Sequence, residues 1–315
     1  MDTPFVALAE LCEKLEATTK RLLMIDLVAE FLRKLNPEEV EPAVSMVLGR
    51  ALPKWSQETL EVSWATLSET IRGISGVDWD RFMEAFSKTG DVGSAAKLVF
   101  EQSGVKRQAT LLERTLTIKE VRRSFQKIAE AVGSGSREKK MRLVQALLSS
   151  ASPLEAKYLV RIFISGMRTG LYEGLMEQAV SKAFQIPLED LQRAGMITGD
   201  LAEVASIARE KGRGGLSKVG FTVFKSVTLM LAQMANDVGE ALKEHGGTSA
   251  FEFKLDGARV QIHKLGDDVR IFSRRLTDVT ESLPEIAELV RRNVKDKEAI
   301  LEGEVIAVDN NECPI

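Results

Sequence analysis

The apolar residues of this 315-residue chain change period once, near residue 249. Before that point they recur every three to four positions. Phe5, Leu8, Leu11 and Leu15 make one stripe. Leu22, Leu23, Ile25, Leu27, Val28, Phe31, Leu32 and Leu35 make the next. Such spacing puts apolar side chains on one face of a helix. Asn36-Pro37 stops the second helix, and Pro42 opens the next near its first turn. Leu143, Ala146 and Leu147 form another stripe, ended by 149–153. Glu155 to Met167 follows, with Ala156, Leu159, Val160 and Phe163 on one face, and then Leu175, Ala179, Ala183 and Phe184, closed before Pro187. No repeat of fixed period is present, which excludes a solenoid.

After residue 249 the period becomes two. Phe251, Phe253 and Leu255 alternate with Glu252, Lys254 and Asp256, which predicts a strand with the aromatic side in a core. Val260 and Ile262 alternate with Arg259, Gln261 and His263. Gly266-Asp267-Asp268 is a turn, Val269–Ser273 a second strand, Thr280–Asn293 a helix and Ala299–Val308 a third strand. The fold expected is multidomain: an all-α domain over 1–215, then an α+β domain over 216–315. Between them, Glu210 to Lys218 holds Gly212, Gly214 and Gly215. A phosphate loop would need a preceding strand, whereas Leu201–Arg209 reads as helix, so a flexible linker is expected. Leu229–Leu242 reads as helix, ended by Gly246-Gly247.

Composition closes several routes. The cysteines, Cys12 and Cys313, form no pair of metal-ligand spacing, and the histidines are His245 and His263 alone. A structural zinc site and histidine-based nucleophile schemes are poorly supplied. No apolar run reaches the ~18 residues of a membrane span, and the first residues lack the basic and apolar blocks of a secretory leader. The expectation is a cytoplasmic protein with no membrane attachment. Net charge is −3, yet charge is unevenly placed. Between Lys106 and Arg142 eleven Lys and Arg face four Glu. A local positive excess can attract phosphate while the chain as a whole stays acidic.

The chemistry-bearing residues lie after 250. In the expected strand, Glu252, Lys254 and Asp256 share a face. Glu302 and Glu304 are a second pair at i, i+2, and Ile271-Phe-Ser-Arg-Arg275 lies between. A neutral lysine amine is a nucleophile, carboxylates can hold Mg²⁺ beside a triphosphate, and arginines can neutralise charge on phosphorus. Schiff-base lysine chemistry is the alternative, but it gives the glutamate pair and the arginines no role.

The ordered set Glu252-x-Lys254-x-Asp256-Gly257-x-Arg259, Phe272-Ser-Arg274 and Leu301-Glu-Gly-Glu304-Val-Ile-Ala-Val-Asp309 resembles the covalent nucleotidyltransferases. Within these it is most similar to the adenylation domain of ATP-dependent DNA ligases of the archaeal and eukaryotic-like type. Ser152-Pro-Leu-Glu-Ala-Lys-Tyr-Leu-Val-Arg161 through Gly166-Met-Arg-Thr-Gly-Leu171 resembles that family's helical DNA-binding domain, which capping enzymes and typical RNA ligases lack. The resemblance implies a helical DNA-binding domain followed by the first part of an adenylation domain. It implies ATP and Mg²⁺, Lys254 as the nucleophile that takes AMP, and Glu252 on the adenine amino group. It implies Arg259 and Arg274 on the nucleotide or the 5′-phosphate, and Glu304 on the ribose and the metal. Asp256 would position the lysine or the metal, while Phe251 and Phe253 belong to a core. Nicked duplex DNA would be gripped through phosphates, with Gly166, Arg168 and Gly170 as candidates. For Arg168 the competing role is that of a cation at a helix C-terminus.

The resemblance further implies a monomer, associated with the nucleoid and serving replication, repair, recombination and cell division. Gln108-Ala-Thr-Leu111 is a faint sliding-clamp-binding string, with Arg114 and Thr115 where its aromatics belong. Two departures stand out. Lys225 to Ala232 lacks the prolines of the family's string at that place. Residue 315 falls soon after the third motif, so the later adenylation motifs and the C-terminal OB-fold are absent. A fragment unable to seal nicks alone is therefore expected. The competing classes are a non-catalytic DNA-binding module derived from a ligase, and an RNA ligase or capping-type transferase.

Overall fold

The computed structural model describes residues 2–56, 58–104, 115–227 and 234–309. Two compact units emerge: Met1–Gly195 with Asp200–Val219, and Met196–Gly199 with Gly220–Ile315.

Described helices of the first part are, in chain order, α1 (Phe5–Glu16), α2 (Arg21–Lys34), α3 (Pro37–Val47), α4 (Trp64–Ser75), α5 (Trp79–Thr89) and α6 (Val92–Gln102). They continue with α7 (Ile118–Ala129), α8 (Ser136–Ser149), α9 (Pro153–Phe163), α10 (Glu173–Phe184), α11 (Leu188–Thr198) and α12 (Leu201–Leu216). The apolar stripes point inward: Phe5, Leu8, Leu15, Phe82, Phe100, Phe125 and Tyr158 are fully buried in one continuous core. Each such side chain contributes roughly 1.5–3 kcal/mol relative to exposure. Helix starts follow capping chemistry. Ser152 and Glu155 form a capping box at α9 with Pro153 in its first turn, and Thr117 and Glu120 form another at α7. Fully buried Glu39, in the first turn of α3, accepts from the amide and hydroxyl of Thr3, each at 2.7 Å. That contact ties the N-terminal segment to the bundle.

The structure differs from the expected pattern at three places in this unit. Pro37, not Pro42, opens α3, and Pro42 sits buried inside the helix. Helix α9 ends at Phe163, so Ile164–Met167 are outside it. The Glu210–Lys218 stretch is not an open linker. Helix α12 runs through to Leu216, interrupted where Gly212 takes φ 57° and ψ −157°, a conformation that a residue without Cβ adopts readily. The expected boundary at 215/216 thus falls in the last turn of α12.

The second unit holds α13 (Val238–Glu244), a three-stranded sheet and α14 (Pro284–Asn293). Residues 234–237 are not helical, which shortens the expected Leu229–Leu242 helix at its start; Asp237 caps α13 by accepting from the Glu240 amide. Residues 229–233 lie outside the described residues. Strands β1 (Ala258–Leu265), β2 (Asp268–Ser273) and β3 (Glu298–Val305) lie in the order β2-β1-β3, all antiparallel. The β1–β2 hairpin turns at Gly266 (φ 61°). One face carries Val260, Val269 and Ile271, which pack on Ala287 and Val290 of α14. The other face carries Arg259, Gln261 and His263 of β1, Phe272 of β2, and Glu302 and Glu304 of β3.

Residues 251–256 are not a strand, and Phe251, Phe253 and Leu255 are exposed, Phe253 at 96%. The expected aromatic core side is therefore not formed. Alternation alone cannot order a strand; among the described residues no neighbouring strand pairs with this segment, and no second layer covers its apolar side.

Candidate functional site

The candidate site occupies the sheet face opposite α14. Register does the assembling. Arg259 stands opposite Glu304 and Gln261 opposite Glu302. Paired residues share a face, so the two glutamates flank the arginine. Arg259 Nε donates to Glu302 Oε1 at 2.7 Å. The hydrogen bond that Arg259 donates to Glu302 comes first in raising the Arg259 pKa, and the charges of Glu302, Glu304 and Glu252 add to it. Both partners are about 40% exposed, so the pair itself contributes at most ~1 kcal/mol to stability. Its value is orientation. Arg259, Arg274 and Glu302 line one shallow depression, together with Gln261 and Leu276. Arg274 lies one residue beyond the end of β2.

Gly257 explains how the lysine segment enters this face. A Cβ there would collide with the Val305 carbonyl oxygen and come within 2.7 Å of Ile306 Cγ2 and 3.1 Å of Glu304 Cγ. Only glycine lets the chain pass so close to the end of β3. Lys254, Glu252 and Asp256 precede this crossing on the exposed segment, and among the described residues none lies within hydrogen-bond or ion-pair distance of Lys254. The structure thus joins Arg259, Arg274, Glu302 and Glu304 on or beside one sheet face and delivers the Lys254 segment to its edge.

Two residues without a sequence-derived role buttress the same face. His263 is fully buried; its Nδ1 accepts from the Phe224 amide at 2.8 Å, and its Nε2 lies 2.9 Å from Gln261 Oε1. Gln261 Oε1 also accepts from the Val227 amide at 2.7 Å. An Nδ1 that accepts must leave the proton on Nε2, and burial pulls the ring's pKa down to about 4. Arg270 stacks over Phe224, 4.5 Å from the ring centre. The neutral imidazole and the amide therefore staple residues 224–227 across β1. The available signal was the alternation of Arg259, Gln261 and His263 with Val260 and Ile262, which sets the polar residues on one face of the strand. No group of three or more potential metal ligands occurs among the described residues. Mg²⁺ commonly takes only one or two protein carboxylates plus phosphate oxygens and water, so half-buried Glu304 and the exposed acids Glu252 and Asp256 fit that use.

In the first unit, Gly166, Arg168 and Gly170 lie in the loop between α9 and α10. The Gly166 amide donates to the Arg161 carbonyl at 2.8 Å, which spends it on closing α9. Arg168 (φ 54°) is 61% exposed, and its Nη1 donates to the Gly90 carbonyl at 3.0 Å, just past the end of α5. The helix-end cation is thus real, at α5 and not α9. Of the basic stretch, Lys119 pairs with Asp2 and Glu38, Arg122 with Glu41, and Lys140 with Glu61. Arg123, Lys127, Arg137 and Lys139 are exposed, and none has an ion-pair partner among the described residues. Gln108–Leu111 lies outside the described residues.

Comparison with known proteins decides the family. Residues 4–181 match the family model described as DNA ligase N terminus, and residues 229–315 match the ATP dependent DNA ligase domain. The chain belongs to the DNA ligase family. A DNA ligase of Thermococcus onnurineus is 39% identical over 313 residues, covering 99% of this chain and 55% of the relative. That of Thermococcus fumicolans is 41% identical over 307 residues, covering 98% and 54%. That of Archaeoglobus fulgidus is 38% identical over 305 residues, covering 96% and 54%. The chain spans about half the length of the curated relatives it matches. Among the described residues no helix is long and apolar enough to cross a membrane.

Proposed function

We propose that this chain supplies the DNA grip and the nucleotide-attacking lysine of an ATP-dependent DNA ligase. The observation that carries the reading is the antiparallel register that sets Arg259 against Glu302 and Glu304, with Arg274 beside them, immediately after the Lys254 segment crosses at Gly257. A triphosphate brings concentrated negative charge, and two guanidinium groups on one face suit it.

In this reading the neutral Nζ of Lys254 attacks the α-phosphorus of ATP. The N–P bond forms as the bond to the bridging oxygen breaks, pyrophosphate leaves, and the amine gives up its proton. AMP then passes to the 5′-phosphate at a nick, and the 3′-hydroxyl displaces it. Each step is phosphoryl-type transfer, governed by positioning and charge neutralisation. Glu252 accepts from the adenine amino group. Arg259 and Arg274 hold the nucleotide or the 5′-phosphate. Glu304 binds ribose and, with Asp256, would hold Mg²⁺, which neutralises phosphate charge when bound.

The helical unit, over the expected 1–215, grips nicked duplex DNA through phosphates. Arg168 and the Gly170 backbone are its candidate contacts, and Gly166 serves there by shaping the loop. The exposed Arg123, Lys127, Arg137 and Lys139 support such a charge-driven grip. The remainder, 216–315, belongs to the adenylation domain. The protein works as a cytoplasmic, nucleoid-associated monomer in replication, repair, recombination and cell division, and a sliding clamp is its candidate partner. The test is nick sealing by the full-length gene product with ATP and Mg²⁺, on DNA and RNA nicks. Sealing of DNA, lost in Lys254→Ala, is expected. Sealing confined to RNA, or a requirement for GTP, would replace this reading with the RNA ligase or capping class. DNA binding without AMP transfer would leave a binding module.

A further inference from the structure

The buried charge cluster of the first unit converges on the loop that carries Arg168. Arg161 is 1% exposed, in the last turn of α9. Its five N–H donors are all used. Nε and Nη2 donate to Asp91 Oδ2 at 3.0 and 2.8 Å. Nη1 and Nη2 form a fork on Glu16 at 2.8 and 3.0 Å. The remaining Nη1 donor reaches the Met167 carbonyl at 3.1 Å. Helix α1 and the N-cap residue of α6 therefore fix the guanidinium, and the guanidinium in turn fixes the loop backbone. The Arg161 carbonyl holds the same loop from its other side, through the Gly166 amide.

That loop needs holding. Ser165 (φ 52°) and Arg168 (φ 54°) both sit in the left-handed region that side chains disfavour, at about 1 kcal/mol each. Ser165 occupies the position just past α9 where glycine commonly stands, and the Gly166-to-Arg161 bond closes the helix end around it. Arg168 is the second strained residue. Its Nη1 bonds Gly90 and its Nε lies 3.8 Å from Asp91 Oδ1. Asp91 thus faces the buried arginine with one oxygen and the exposed one with the other. Gly93, two residues on, has no room for a Cβ: Lys157 O would lie at 2.5 Å and Arg161 Cγ at 2.7 Å. Helix α6 is pressed directly onto the Arg161 stem. Cohesion of α1 with α9 has its own bonds, from Lys157 and Tyr158 to Glu13 and Glu16. The Met167 bond adds nothing to that cohesion; it acts on the loop.

We infer that Arg161 is a positioning residue: through Met167 and the shared Asp91 it sets the 164–171 loop so that the free edge of Arg168 meets a DNA phosphate. The inference rests on the reading of Arg168 as a phosphate contact, and two separate readouts keep the two apart. Arg161→Lys keeps the charge but loses the planar fork. In the full-length gene product it should preserve the helical circular dichroism and speed amide exchange at 166–171 while leaving the middle of α9 protected. On nicked duplex, Arg168→Ala should lower the salt slope of log K by about one, which is about an eightfold loss of affinity at 0.1 M salt. Arg161→Lys should lose about as much, and the double variant no more than either alone. Wild-type exchange in the loop, or losses that multiply, would overturn the positioning role. Unchanged binding by Arg168→Ala, beside faster exchange in Arg161→Lys, would overturn only the phosphate reading. Asp91→Asn, tested in the same way, decides the matter if Arg161→Lys fails to fold; unaltered exchange and binding there also refute the inference.

Discussion

Replacing Glu16 by glutamine removes the negative charge and one of the two oxygens that accept from the buried Arg161 guanidinium. Glu16 Oε2 accepts from Arg161 and Lys157 at 2.8 Å and from Tyr158 at 3.1 Å, and Oε1 accepts from Arg161 at 3.0 Å. The Arg161 hydrogen bonds, helped by those of Lys157 and opposed by burial, hold the Glu16 carboxyl at about 2, against an ordinary 4.5. That difference sets a ceiling of about 3 kcal/mol. The side chain is about one-third exposed, and solvent screening brings the expected contribution to about 2 kcal/mol. The sign follows from the depressed pKa. The contribution is complete above pH 4.5, shrinks as pH falls, and is gone once pH passes below 2. In the 315-residue chain Trp55, Trp64 and Trp79 all lie in the first unit, so the tryptophan fluorescence of that chain in urea reports on that unit. Glu16→Gln should unfold about 2 kcal/mol more easily at pH 7, and the gap to wild type should narrow steadily between pH 4.5 and 2. A gap that stays constant over that range would refute the electrostatic account. No gap at pH 7 would show that Asp91 alone satisfies the guanidinium.

Three further outcomes follow from the second unit and the α6–α9 contact. Gly257→Ala forces a methyl against the Val305 carbonyl and should cost about 1–3 kcal/mol, together with most AMP transfer; hydrogen exchange in β1 and β3 and an adenylylation assay read the two effects. His263, held neutral by burial with its pKa near 4, should show no charging by NMR down to pH 5. The protonation it resists is available to the unfolded chain, so the second unit should lose stability as pH falls from 6.5 towards 4, and a midpoint above 6 would contradict this. Gly93→Ala should separate α6 from α9, lower the first unit's urea midpoint and loosen the 164–171 loop; an unchanged midpoint would show that the helices part without strain.

Local signals were legible where they were also sufficient. The stripe Phe5, Leu8, Leu11, Leu15 needs only a helix and a core to bury it, and it found both in α1. The pair Ser152 and Glu155, three apart before an apolar run, encodes the start of α9 without outside help. Gly266-Asp267 gave the hairpin. What escaped depends on partners far along the chain. Arg161 meets residues 70 and 145 positions away, which no spacing rule reaches. The Phe251–Asp256 alternation is written as a strand, yet alternation sets only which side faces inward; pairing decides whether a strand exists. Gly212 reads as a linker because glycines weaken helices, and α12 shows that one break in the ladder leaves both sides helical. At the candidate site the order of motifs was readable, whereas the pairing of Arg259 with Glu302 emerges from register alone.

Capture of AMP by the Lys254 amine can be measured directly. The direct measurement is mass spectrometry of the full-length gene product after incubation with ATP and Mg²⁺, quenched at neutral pH and digested. An acid-labile AMP adduct is expected on the peptide containing Lys254, absent in Lys254→Ala and diminished in Arg259→Ala. An adduct on any other residue, or nick sealing with Lys254 unmodified throughout, would contradict capture by Lys254.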